Sequence, residues 1–427
     1  MKGRKQSFFL VVLLTLALLS AGLTTFANSN PDEVEIGVIY PLSGSIADTG
    51  ERCKAAIEAA LDVVNNSHPD IDLPSAESEG IESLGGAKLE AVYGDHESEP
   101  SIGKSETERL ITQENVVAMV GAYNSAVTKP ASFVAERYGV PFISGASSSA
   151  ELTERGLQYF FRLAVTDRQD AKEFLHNLDE LREEEDAEID TVGLVYENTE
   201  FGQHAAMSVK EANEERSHSY DIVADVAYEY GATNLDSTVM KLKDADPDVV
   251  IAASLLNDYI LLVETFKELD WVPNGMFAFC GGFQDPKSIE RLGEDADYFS
   301  GSSILPPELI EVTPVLQESN EIYKEHSPGG VGFDGVMMEI FEVPIVIADA
   351  LERAGTTESE ALTEALRETD IETDLNVGGG IKFDHKGQNT MAKSAMVQVQ
   401  DGEYVTVLPP DISQGEIIWP IPSWSER

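Results

Sequence analysis

The chain has 427 residues, with 29 Lys+Arg against 77 Asp+Glu for a formal net charge of −48, and 42% of its residues are hydrophobic. That hydrophobic fraction excludes a disordered acidic tail, and the length suggests two or three domains with ample core. A surface this negative repels phosphate backbones and anionic headgroups, so no nucleic-acid partner and no peripheral membrane role are expected.

Lys2, Arg4 and Lys5 precede an apolar run from Phe8 to Leu19, and small residues flank Phe26. This order is that of a secretory signal peptide over residues 1–27, cleaved after Ala27. The run is shorter than the ~20 residues a membrane span needs, so no membrane insertion is expected after cleavage. No Cys stands at the cleavage point to carry a lipid anchor. A soluble exported protein without an anchor is retained between two membranes, which points to the periplasm. Cys53 and Cys280 have no CxxC or Cys/His companion and read as two buried thiols. The acid excess suits salty surroundings, where carboxylates stay hydrated and salt screens their repulsion.

From Val34 onward, strand-like and helix-like segments alternate. Val34 to Tyr40 is a β-branched run, followed by the loop Pro41 to Gly50 and a helical pattern from Glu51 to Asn65 with alanines on one face. The cycle recurs with Leu89 to Tyr93 and Ser101 to Gln113, with Val116 to Val120 and Thr128 to Tyr138, and with Pro141 to Ser144 and a short segment from Ser148. A second series follows the connection Leu163 to Asp167. It pairs Thr191 to Tyr196 with Gly202 to Ser217, Ile222 to Tyr228 with Asp236 to Asp244, Val249 to Ser254 with Tyr259 to Leu269, and Met276 to Phe279 with Pro286 to Leu292. Such series predict α/β lobes, each a parallel sheet wound on both faces by helices. Towards the end stand an amphipathic pattern from Val336 to Ala354, expected to kink or break at Pro344, a helix at Ser359 to Glu368, and strands at Ile381 to Phe383 and Met396 to Val399. Asp401-Gly402 reads as a hairpin turn.

Enzyme signatures are weak. Gly330, Gly332 and Gly335 fit GxGxxG, but Pro328 and Gly329 precede them where a strand should stand. There is no phosphate loop and no GxSxG elbow, and the seven histidines lack metal-ligand spacing. No catalytic residue, metal or cofactor is therefore expected. The informative segments are loops at the carboxyl ends of predicted strands, where open α/β sheets bind ligands. Tyr123, Asn124 and Ser125 combine an aromatic wall, an amide and a hydroxyl ahead of a helix. Ala146, Ser147 and Ser148 follow the next strand, and hydroxyls with backbone N–H groups at helix starts suit a carboxylate. The second lobe offers Phe201 in the segment Glu197 to Gly202, and Gly281, Gly282 and Phe283 after a later strand.

Five segments together carry a family resemblance over nearly the whole chain beyond residue 27: Ile36 to Gly44 (IGVIYPLSG), Val120 to Ser144, Glu151 to Gly156 (ELTERG), Leu194 to Gly202 (LVYENTEFG) and Ile381 to Thr390 (IKFDHKGQNT). They resemble the type I periplasmic solute-binding proteins of ABC importers, in the leucine/isoleucine/valine-binding group. The resemblance implies two doubly wound α/β lobes joined by a multi-strand hinge, with residues 34–165 plus 305–375 in the N-terminal lobe and 166–304 plus 376–427 in the C-terminal lobe. Crossings are then expected near Leu163 to Thr166, Ser302 to Leu305 and Asn376 to Gly380. It further implies a monomer that captures a small carboxylate-bearing solute, branched-chain or other amino acid, and delivers it to ABC permease membrane subunits. Carried over by position, Ser125 is the carboxylate-binding serine, Ala146, Ser147 and Ser148 the contacts of the next loop, and Phe201 the aromatic lid, where Tyr is more usual. The family's acid for the α-ammonium falls on the stretch Gly281, Gly282, Phe283, which has none. Either another acid such as Glu197 reaches the ammonium, or the ligand is an ammonium-free organic acid, amide or urea-like solute; a sensory receptor of the same fold is a further reading.

Overall fold

The computed structural model describes residues 31–184, 188–410 and 412–427; the expected signal peptide lies outside the described residues. The first lobe is built from β1 (Glu33–Tyr40), α1 (Ala47–Asn65), β2 (Lys88–Asp95), α2 (Pro100–Arg109), β3 (Ala118–Gly121), α3 (Ser125–Tyr138), β4 (Phe142–Ser144), a 3-10 turn at Ala150–Thr153, and β5 (Phe160–Arg162). The five strands are parallel in the order β2-β1-β3-β4-β5. β1 is buried almost throughout because helices cover both faces, which is why its sequence is a continuous apolar run rather than an alternation. The alanine face of α1 packs on one side of the sheet, while Val127, Ala131 and Val134 of α3 join Leu110 and Phe142 on the other.

The second lobe contains α4 (Asp167–Glu184), β6 (Thr191–Glu197), α5 (Glu200–Glu214), β7 (Asp221–Tyr228), α6 (Asp236–Ala245), β8 (Val249–Ala253), α7 (Leu256–Glu268), β9 (Gly275–Ala278), the short α8 (Cys280–Phe283), α9 (Pro286–Leu292) and β10 (Ser300–Ser303). The chain then runs through α10 (Pro307–Val312), α11 (Pro314–His326), α12 (Gly335–Ala354), α13 (Ser359–Arg367), β11 (Asp370–Glu372) and β12 (Gly380–Lys382), and ends with β13 (Ala395–Gln400) and β14 (Glu403–Leu408). The second sheet has the order β14-β13-β10-β9-β8-β6-β7, with β13 antiparallel to both its neighbours. Asp401 and Gly402 both take positive φ between β13 and β14, as a tight hairpin requires.

Two expectations are corrected. α12 does not break at Pro344: one helix runs from Gly335 to Ala354 with that proline inside it. Nearly every residue from Gly335 to Leu351 is buried, and burial on all sides outweighs the roughly 3 kcal/mol an internal proline costs. The segment 376–392 lies with the first lobe rather than the second. Leu375, Ile381, Phe383 and Ala392 are buried in the first core, and Phe383 packs on Phe161 with ring centroids 5.1 Å apart. Asn389 N–H donates to Arg162 O at 2.9 Å, and Gln388 bridges to Arg162 at the β5 edge of the first sheet. The third crossing therefore falls between Ala392 and Ala395 instead of Asn376 to Gly380. Helices α4, α8, α10 and α11 and strands β5, β10 and β11 have no counterpart in the sequence reading.

Asp170, in the first turn of α4, ties the three crossings together. Its carboxylate accepts from Ser302 Oγ at 3.1 Å and from Ser394 Oγ at 2.6 Å, the first on β10 and the second just before β13. Burial raises its pKa to about 6 against the pull of these two hydroxyls.

Phe341, fully buried in α12 against Phe333, gives a direct test of the first core. Phe341→Ala should lower unfolding stability by about 3–5 kcal/mol, read as a lower urea midpoint with an unchanged denaturant slope.

Candidate functional site

The carboxyl ends of both parallel sheets face a cleft of about 560 Å³, part of it open to solvent. On the first lobe, β3 ends at Gly121, whose φ of +134° and contact with Ile39 O leave no room for a side chain. The chain then turns through Tyr123 and Asn124 into α3, which starts at Ser125 without a side-chain cap. The positive end of that helix is thus presented to the cleft. Ser125 is buried and its Oγ accepts from Ser149 N at 3.3 Å, which joins this loop to the serine loop after β4.

The serine loop is held from behind by Arg162, a guanidinium with no exposure. Arg162 donates to the carbonyl oxygens of Ser147 and Ser149, to Thr153 Oγ1 at 3.1 Å and to Gln388 Oε1 at 2.7 Å. Burial depresses its pKa to about 10, with Asp167 and Glu339 opposing. Gly145 lets this loop approach α12, since a Cβ there would meet Glu339 O at 2.8 Å.

On the second lobe, Glu197 closes β6 and lines the cleft although only 1% exposed. Its Oε1 accepts from Thr199 Oγ1 at 2.7 Å and its Oε2 from Leu255 N at 3.1 Å. Burial pushes its pKa up to about 7, with Asp258 adding and the two donors opposing. Among the described residues it has no ion-pair partner within 4.0 Å. Phe201 stands edge-on to Phe279 at 6.5 Å and covers the apolar side with Leu255.

Of the ten residues expected here, Tyr123, Asn124, Ser125, Ala146, Ser148, Phe201 and Gly281 line the cleft. Three do not, for steric reasons. Ser147 turns inward, bonding Ala122 O and Thr128 Oγ1, both at 2.7 Å. Gly282 is packed on the backbone of Leu255 and Leu256, and Phe283 lies beneath it in the second core, edge-on to Tyr259 and Tyr404. The sequence reading missed Ser98, Tyr230 and Leu255, although each follows a strand's carboxyl end and the same rule would find them. Val336 comes from the start of α12, for which no local signal exists. Cys53 and Cys280 are free thiols, the first buried and the second on the cleft wall.

Contacts across the cleft put the lobes in a closed arrangement. Ser45 Oγ lies 3.0 Å from Tyr230 OH, Asn257 Nδ2 donates to Ser45 O at 2.8 Å, and Arg52 of α1 pairs with Asp285 at 3.2 Å. Lys287 pairs with Asp48 in the same region.

What this geometry defines is a two-lobed α/β protein with a cleft between the carboxyl ends of its two parallel sheets. The model of the family described as "Periplasmic binding protein" matches residues 33–403, and the chain belongs to that family. It is 27% identical over 419 residues to the Leu/Ile/Val-binding protein homolog 7 of Brucella melitensis, covering 95% of this chain and 98% of that one. Among solved structures it is similar to the branched-chain amino acid transporter substrate binding protein of Streptococcus pneumoniae in complex with isoleucine, with a TM-score of 0.73, 22% identity, and coverage of 91% of this chain and 100% of that one. It is also similar to a solute binding protein of R. palustris in complex with 4-hydroxybenzoate, with a TM-score of 0.70, 17% identity, and coverage of 92% and 99%. Membership of that family makes it a binding protein rather than an enzyme, working in a periplasm or outside the cell. Among the described residues no helix is long and apolar enough to cross a membrane.

The bracing role of Arg162 predicts that Arg162→Met strands the carbonyls of Ser147 and Ser149. A loss of about 3–5 kcal/mol in unfolding stability is expected from breaking such a buried polar cluster, measured by urea denaturation.

Proposed function

We propose that this protein is a monomeric periplasmic receptor, released by cleavage after Ala27, whose ligand is an α-amino acid with an apolar side chain. The observation that carries this reading is the buried carboxylate of Glu197 on the cleft wall, without a cationic partner among the described residues. A carboxylate so placed is costly unless a cation meets it, and a ligand ammonium is such a cation. Glu197 takes the role that Gly281 and Gly282 cannot fill. The ligand's own carboxylate goes to the opposite wall, to Ser125, Ser148 and the start of α3. Its side chain goes to the apolar side formed by Phe201, Leu255 and Val336. Binding from both walls is what makes a solute favour the closed arrangement.

One observation favours a second reading, an ammonium-free acid: Gly281 faces the Phe201 ring with no polar group of its own. Titration calorimetry with leucine, isoleucine, valine and 4-hydroxybenzoate separates the two. Leucine-type ligands should bind, and Glu197→Gln should weaken them by about 2–5 kcal/mol; tight binding of 4-hydroxybenzoate alone, unaffected by that substitution, overturns the amino-acid reading. Ser125→Ala should cost about 1–3 kcal/mol of binding in either case.

The pH dependence follows from Glu197. Its carboxylate holds an ammonium only when ionised, so affinity is fully present well above pH 7 and is lost as the pH falls through about 7. Between pH 8 and pH 6 the leucine dissociation constant should rise by about tenfold, and Glu197→Gln should remove that dependence.

A further inference from the structure

At the rim of the cleft, outside the residues that line it, four charged groups meet across the two lobes. Lys129 on α3 and Glu151 on the 3-10 turn belong to the first lobe, Glu200 and His204 on α5 to the second. Lys129 Nζ lies 2.8 Å from both Glu151 and Glu200, and His204 Nε2 lies 2.9 Å from Glu151 and 3.2 Å from Glu200. Glu200 and His204 are largely buried, Lys129 and Glu151 about one-third exposed. When the lobes part, Lys129 keeps Glu151 and His204 keeps Glu200, while the two pairs that span the cleft are lost.

The protonation state of His204 decides what those spanning pairs are worth. With a neutral imidazole, one ammonium faces two carboxylates brought together by closure. With an imidazolium, charges alternate around a ring of four, and each carboxylate touches two cations. We propose that this ring is a proton-operated latch on the closed arrangement: a proton on His204 completes it and slows solute release.

The groups facing His204 support this. Glu200 from its own helix holds its pKa above the ordinary value, with burial opposing, and Glu151 from the 3-10 turn and Asp167 from the start of α4 act in the same direction. Lys129 reaches it only through the two carboxylates, and Arg155 stands beyond them, feeling both. β8 beneath α5 carries no charge, and Glu197 of β6 is engaged by Thr199 and Leu255. Opening removes Glu151 from His204, so the imidazole binds its proton more tightly in the closed arrangement than in the open one. The latch is therefore present at pH values below the open-state pKa and is lost as the pH rises through the closed-state pKa, opposite in sense to Glu197.

The test rests on the solute reading only in that some solute fills the cleft, so leucine and 4-hydroxybenzoate are both used. Release rates are measured by stopped flow at low, constant ionic strength from pH 8.5 to pH 6 for the wild type and for His204→Gln. Taking the ratio of variant to wild type cancels the titration of Glu197. That ratio should rise by about two- to fivefold as the pH falls, and Glu151→Gln, an exposed change, should give the same rise. A ratio that does not change with pH, for whichever solute binds, overturns the latch and leaves the ligand reading standing. Failure of leucine to bind, with a rising ratio for 4-hydroxybenzoate, supports the latch and overturns the amino-acid reading.

Discussion

A guanidinium removed from water must find acceptors for its N–H groups, and Arg162 meets that requirement at the point where the first lobe, the cleft and the hinge join. Its acceptors are the serine loop, the 3-10 turn and Gln388. The loop presents Ser148 to the cleft, and the turn carries Glu151 to the rim. Gln388 holds the segment that leads into the last crossing, its Nε2 donating to Ala164 O at 3.0 Å. Because one rigid planar group serves all three, the polar wall of the site cannot shift without disturbing the sheet edge at β5.

The hinge shows the same economy. Asp170 collects hydroxyls from the second and third crossings while sitting directly after the first. Glu339 accepts from Val165 N at 3.3 Å, which draws α12 to the first crossing, while Glu342 accepts from Asn376 Nδ2 at 2.8 Å within the first lobe. Burial raises the pKa of Glu342 to about 8 and that of Asp167 to about 7. In a chain so rich in acids, Asp170 and Glu339 differ from the surface carboxylates: the surface groups act through solvation and screening, these two through hydrogen bonds that fix where the backbone crosses.

The cleft itself divides by chemistry. Its first-lobe wall is neutral and donor-rich, from Ser125, Ser148 and the start of α3, whereas its second-lobe wall carries the Glu197 carboxylate and the aromatic edge of Phe201. A zwitterion with an apolar side chain complements that division, and a solute held by both walls stabilises closure because neither wall alone can satisfy it.

Much of the architecture was legible locally. The runs at Val34 to Tyr40 and Thr191 to Tyr196, each followed by a loop and a helical face, identify parallel strands because buried strands in such sheets are apolar on both sides. The strand-end rule then located Tyr123, Asn124, Ser125, Ala146, Ser148, Phe201 and Gly281, since backbone topology alone brings those ends to one cleft. What a sequence cannot rank is which neighbour in a loop points outward: Ser147 and Ser148 are chemically equal, and only the position of Thr128 and Ala122 O turns the first inward. The same holds for Phe283, whose place under Gly282 is set by Tyr259 and Tyr404. The α/β plan and the loops that face the solute were thus written in the order of residues along the chain, because periodicity and strand-loop-helix succession are properties of adjacent residues. That residues 380–392 pack into the first core, that Glu197 is buried on the cleft wall, and that His204 meets Glu151 came from the folded arrangement alone, because each depends on which distant backbone lies opposite.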